Sequence, residues 1–131
     1  MNAMRISSNW ITELAPNEVF VFGSNLEGRH CSGAARLAFT KFGAAWGNGV
    51  GMCGQSYAIP TMQGGVLSIK PYVDDFLIFA LNNKHLTFLV TEIGCGIAGF
   101  TPRDIAPLFR MVIDRNIQNV YLPESFYNYY K

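Results

Sequence analysis

Residues 87 to 104 read Thr-Phe-Leu-Val-Thr-Glu-Ile-Gly-Cys-Gly-Ile-Ala-Gly-Phe-Thr-Pro-Arg-Asp, and few folds accommodate such a stretch. With Leu86 before it, the run to Val90 is apolar and β-branched, the pattern of a buried strand. Gly94, Gly96 and Gly99 follow. Thr101 then reads as an N-cap, Pro102 as the first helical position and Asp104 as a first-turn acid. A strand, a glycine-rich loop and a helix N-terminus together suit an anion. Glycines let the backbone turn its N–H groups inward, and the helix end adds partial positive charge. Gly96 is expected to direct its N–H at a bound phosphate with no room for a side chain. The other reading is a tight strand-to-helix turn with no ligand. The spacing also fits G-x-G-x-x-G, a weak pattern by itself. Here the Thr-Pro start follows the glycines, and Glu124 stands well past the ribose-binding position about twenty residues on.

The chain has 131 residues and reads as one domain over 1–131. Half of its residues are hydrophobic and 15% are charged, which predicts a folded core. A net charge of +1 argues against a duplex nucleic acid partner, which needs a basic stripe. Cys31, Cys53 and Cys95 are odd in number and widely spaced, so neither a disulfide framework nor a structural zinc site is expected. No cofactor or metal is implied. No segment reaches the apolar length of a membrane span, and no leader pattern opens the chain. The expectation is a cytoplasmic protein with no membrane partner. Translation starting at Met4, with Met1 to Ala3 an addition, is an open alternative.

Ser7-Ser8-Asn9 before Trp10 to Leu14 predicts a short capped helix ended by Pro16. Val19 to Phe22 is wholly apolar and predicts a central strand. It ends abruptly in Gly23-Ser24-Asn25, and a polar loop from Leu26 to Cys31 leads to Ser32 and a helix over Gly33 to Phe42 whose start is small-sided. Gly47 to Gly54 reads as a second glycine-rich loop, and Ser56 to Pro60 as a strand. Ile69, Tyr72, Val73, Phe76, Leu77 and Ala80 have helical spacing, as do Ile105, Leu108, Phe109, Val112 and Ile113. Val120 to Leu122 is the last strand, and an aromatic segment over Phe126 to Tyr130 is expected to pack back on the domain.

Strands alternating with helices predict an α/β fold with a largely parallel sheet covered on both faces. Ligands in such sheets bind beyond the carboxyl ends of the strands. Gly23-Ser24-Asn25 and the Gly94 to Gly99 loop both leave such ends. In a parallel arrangement they share one rim, with Asn25 and His30 within one ligand's reach of the glycine loop.

Each candidate side chain has two readings. Asn25 orients a ribose hydroxyl or an attacking water, or it closes its own turn. His30 is a general base, or a surface loop histidine. Arg29 pairs with a phosphate or is solvated. Glu92 is a base where strand meets loop, or a salt-bridge or turn partner. Cys95 lies among N–H donors that can lower a thiol pKa, or it fills space. The catalytic candidates are therefore Asn25, His30 and Glu92. The ligand-binding candidates are Ser24, Asn25, Arg29, Gly33, Gly94, Cys95, Gly96, Ile97, Ala98, Gly99 and Phe100.

Gly23-Ser24-Asn25 running through Ser32-Gly33-Ala34-Ala35, together with Gly94 to Phe100 before Pro102, resembles the macro domain family, which binds ADP-ribose. Phe22 to Asn25, Gly28 to His30 and Ser56 to Thr61 also resemble segments of short bacterial and phage proteins of that kind. The resemblance covers residues 19 to 123. It implies a three-layer α/β/α sandwich with a largely parallel or mixed sheet. It implies binding of ADP-ribose or a related phosphoribosyl or diphosphate nucleotide, free or on an ADP-ribosylated macromolecule, with hydrolysis of an ADP-ribosyl bond as a further activity. The alternatives are a reader module without turnover and a Rossmann-like dinucleotide domain.

Overall fold

The computed structural model describes residues 5–131, so the question of a start at Met4 lies outside the described residues. The apolar run after Pro16 forms strand β2, Glu18–Ser24, and four of its side chains, Val19 to Phe22, are buried. A strand buried on both faces belongs at the middle of a sheet. Indeed β2 pairs in parallel with β5, Thr87–Val90, on one side and with β4, Ser56–Pro60, on the other. Outward from β5 lie β6, Val120–Pro123, and β1, Ile6–Ser7, both parallel; outward from β4 lies β3, Gly51–Cys53, which is antiparallel. The protein is thus α/β with a six-stranded, mostly parallel mixed sheet in the order β1-β6-β5-β2-β4-β3.

Alternation along β2 separates two cores. Val19 and Val21 join the larger cluster with Tyr57, Ile59, Phe88 and Val90, while Phe20 and Phe22 join a smaller one with Ala38, Phe42 and Ala58. Helix α1, Gly33–Lys41, packs on the smaller cluster, and α2, Lys70–Leu81, on the larger. The helical period is realised in α2, where Val73, Phe76, Leu77 and Ala80 are all buried. Phe76 meets Tyr57 and Phe88 at ring-centroid distances of 5.0 and 5.3 Å, contacts that add to burial worth about 1.5–3 kcal/mol for such a side chain.

Beyond the glycine loop, Thr101 and Asp104 form a reciprocal capping box around α3, Pro102–Ile105. The helical spacing over 105–113 is not one helix. Pro107 has no N–H to offer and sits in a 3-10 turn over Ala106–Phe109, after which α4 runs over Arg110–Asp114. The terminal aromatics pack back through α5, Glu124–Asn128: Phe126 and Tyr127 are buried, and the Tyr130 hydroxyl donates to the Ala106 carbonyl.

Two further expectations fail. Residues 10–14 are not helical. Five residues are too few to offset helix nucleation alone, and Trp10 is 87% exposed, so it anchors nothing. Instead Ile11 and Leu14 lie against the smaller core, and the Lys41 ammonium donates to the Thr12 carbonyl. The glycine-rich stretch 47–54 is not wholly loop either. Gly51–Cys53 forms β3, because the hairpin turn at Gly54-Gln55 returns it alongside β4.

Candidate functional site

Parallel pairing of β2 with β5 brings Gly23-Ser24-Asn25 and Glu92 to Ala98 to the same rim of the sheet. Thr91 locks them side by side, since its N–H and its hydroxyl both donate to the Val21 carbonyl, at 3.0 and 2.8 Å. On the other side of β2, the Thr61 N–H donates to the Ser24 carbonyl at 2.9 Å. Between these loops and the start of α1 opens a cavity of about 750 Å³. Ser24, Asn25, Arg29, Gly33, Glu92, Gly94, Cys95, Gly96, Ile97 and Ala98 line it.

His30, Gly99 and Phe100 do not line it. The His30 ring is only 1% exposed and is no surface residue. Its Nε2 lies 3.0 Å from the Ala45 carbonyl and 3.2 Å from that of Asn48. Carbonyls only accept, so Nε2 carries the proton and donates. The ring packs edge-on against Phe22 and Trp46. His30 therefore braces residues 45–48 beneath the Asn25 loop. Phe100 is half-buried against the larger core and backs Gly94 from behind the loop, while Gly99 donates its N–H to the Gly96 carbonyl in the loop's return.

The Asn25 amide closes its own turn. Its Oδ1 accepts from the Arg29 N–H at 2.8 Å and its Nδ2 donates to the Arg29 carbonyl at 3.1 Å. The Ser24 hydroxyl, buried, donates to the Gly49 carbonyl. Gly49 sits so close to the Asn25 carbonyl that any Cβ there would collide with it, which is why the 47–50 segment can serve as the floor of this loop. The Arg29 side chain is left exposed, with no hydrogen bond or ion pair among the described residues. Among the described residues it is the one cation on the cavity wall, and Glu92 the one anion.

Glu92 is exposed, and its Oε2 accepts from the Ser125 hydroxyl at the start of α5. The Cys95 thiol does not have the lowered pKa that its glycine neighbours suggest. Burial, reinforced by the carboxylates of Glu92 and Asp104, pushes it up to about 11, so it is a protonated thiol at neutral pH and no nucleophile.

The glycines divide differently from expectation. Gly94 and Gly99 are both in the left-handed region, with φ of +74° and +84°, and Gly94 is also the crowded one: a Cβ there would lie 3.1 Å from Ile105 Cδ1 and 3.3 Å from Phe100 Cδ2. Gly96 is exposed, is not in the left-handed region and has open space where a Cβ would stand. Its N–H, with those of Ile97 and Ala98, has no partner among the described residues. The same holds for the N–H groups of Gly33, Ala34 and Ala35 in the first turn of α1, since Ser32 makes no side-chain cap. Two sets of unpartnered donors thus belong to residues on one cavity wall.

Sequence reasoning did not place Thr61, Met62, Thr91 and Ile93 on the wall. Thr61 and Met62 follow β4, and only the pairing of β4 with β2 could have located them. The N-terminus of α3 is closed by its own capping box, and neither Thr101 nor Asp104 reaches the cavity; a Rossmann-type site would use that helix end. Among the described residues, no three His, Cys, Asp or Glu side chains come together as a metal site, and no helix is long and apolar enough to cross a membrane. No family model, curated protein or solved structure matches this chain.

Proposed function

We propose that this chain is a macro-domain-like binder of ADP-ribose or a related phosphoribosyl or diphosphate nucleotide. One observation carries the reading: among the described residues, the unpartnered N–H groups of Gly33 to Ala35 and of Gly96 to Ala98 belong to the walls of one 750 Å³ cavity that holds a single free cation, Arg29. Backbone donors at a helix N-terminus and in a glycine loop suit the oxygens of a diphosphate, and Arg29 suits its charge. The volume suits a ligand of nucleotide size. The helix layers on both faces of a mostly parallel sheet support the three-layer architecture of that family.

Binding is better supported than turnover. Asn25 is engaged in its own loop, His30 is walled off and Cys95 is protonated. Glu92 alone keeps a catalytic reading, as a carboxylate on the cavity wall able to accept a proton from water.

Calorimetric titration with ADP-ribose, ADP and NAD tests the proposal. ADP-ribose is expected to bind, and at a hundred times its Kd to stabilise the fold by about 2.7 kcal/mol. No heat and no thermal shift at millimolar concentration would remove the reading. Incubation with an ADP-ribosylated protein then separates a reader, which retains the modified protein intact, from a hydrolase, which releases free ADP-ribose.

A further inference from the structure

Two cavities meet at Glu92. A smaller one of about 230 Å³ shares Gly33, Ala34, Thr91 and Glu92 with the larger. Ile11, Phe20 and Leu37 give it apolar walls, and Ser8 and Asn9 add polar groups. Those surroundings suit a planar ring with a polar edge. A nucleotide whose diphosphate rests against the Gly96 to Ala98 backbone, and whose ring occupies the smaller cavity, places the sugar between them at the junction.

Among the described residues Glu92 is the only acidic side chain on either cavity wall, and Arg29, the only basic one, borders the larger cavity alone. The Ser125 hydroxyl donates to Glu92 Oε2 at 2.5 Å, a short charge-assisted bond that fixes the carboxylate and leaves Oε1 free to accept. A fixed carboxylate accepts hydrogen bonds from sugar hydroxyls and repels a phosphate placed among them. We infer that Glu92, held by Ser125, makes this site select nucleotide diphosphates with a free diol on the base-bearing sugar and reject those phosphorylated on that sugar. The inference rests on the nucleotide-binding reading above.

The probes are inorganic pyrophosphate, ADP-ribose, and ADP-ribose carrying a 2′-phosphate on its adenosine sugar. Wild type is expected to bind ADP-ribose at least about tenfold more tightly than the 2′-phosphorylated form in low salt, and the margin should shrink as salt screens the exposed carboxylate. Glu92→Gln has nearly the same shape without the charge. It should bring the two ligands within about threefold while leaving pyrophosphate binding in place, which also reports that the variant is folded. Ser125→Ala should give an intermediate preference, because the charge remains but is no longer held. Equal affinities in wild type, or a full preference surviving in Glu92→Gln, would overturn the inference while ADP-ribose binding stands. Failure of both pyrophosphate and ADP-ribose to bind wild type would remove the nucleotide reading and this inference with it.

Discussion

Gly94→Ala probes the turn on which the site is built. In the folded protein Gly94 has φ +74°, its carbonyl accepts the Phe100 N–H at 2.9 Å, and the Cβ of an alanine would stand 3.1 Å from Ile105 Cδ1. Ile105 is fully buried in the larger core, so it cannot swing away without disturbing its neighbours. A non-glycine residue in the left-handed region costs about 1–3 kcal/mol, and the tight contact with Ile105 adds overpacking of the order of 1 kcal/mol. The expected loss is about 2–4 kcal/mol, a large part of the stability of an ordinary domain. Gly96→Ala is the matched control, two residues away in the same loop. It meets no left-handed strain and no neighbour within 4 Å, so its effect should stay within about 0.5 kcal/mol. Urea unfolding followed by circular dichroism gives both values by linear extrapolation. Gly94→Ala within 0.5 kcal/mol of wild type, or Gly96→Ala costing as much as Gly94→Ala, would refute the account of this turn.

Arg29 is exposed and has no partner among the described residues, so Arg29→Ala should leave urea stability unchanged and weaken ADP-ribose binding about tenfold or more; calorimetry showing unchanged affinity would remove it from the site. The raised thiol of Cys95 predicts that iodoacetamide at pH 8 modifies exposed Cys31 well before Cys95, as peptide mass mapping of the native protein would show. The same shift has a stability consequence. An unfolded thiol ionises near 9 and the folded one near 11, so the contribution of Cys95 is complete below about pH 9 and is lost as pH rises toward 11; Cys95→Ala should flatten that part of the stability profile. Asn119 donates Nδ2 to the carbonyls of Ala80, Asn83 and Leu86, pinning the end of α2 to the start of β5. Asn119→Ala should cost about 1–3 kcal/mol, and a loss below 0.5 kcal/mol in urea unfolding would show that these carbonyls are satisfied without it.

The sequence alone determined the elements whose cause is local. The run Val19 to Phe22 has to be a central strand because no polar side chain interrupts it. Thr101, Pro102 and Asp104 carry a helix start in their own chemistry, and the capping box duly forms. The period of Val73, Phe76, Leu77 and Ala80 specifies which face α2 buries. Even the shared rim follows, since alternating strands and helices imply parallel pairing. Where local signals misled, a contact distant in sequence had prevailed. The Ser7-Ser8-Asn9 cap and Pro16 suggest a helix over residues 10–14, but Ile11 and Leu14 are held individually against the smaller core beside α1. Tertiary structure alone decided what each polar side chain does, because that depends on which chain segment lies opposite. The carbonyls of Ala45 and Asn48 turn His30 from a candidate base into a brace. The Arg29 backbone takes up both ends of the Asn25 amide. Burial beside Glu92 and Asp104 keeps the proton on Cys95. Which glycine is crowded followed the same rule: Ile105 and Phe100 close on Gly94 and leave Gly96 open, and no pattern of glycine spacing encodes where those two side chains come to rest.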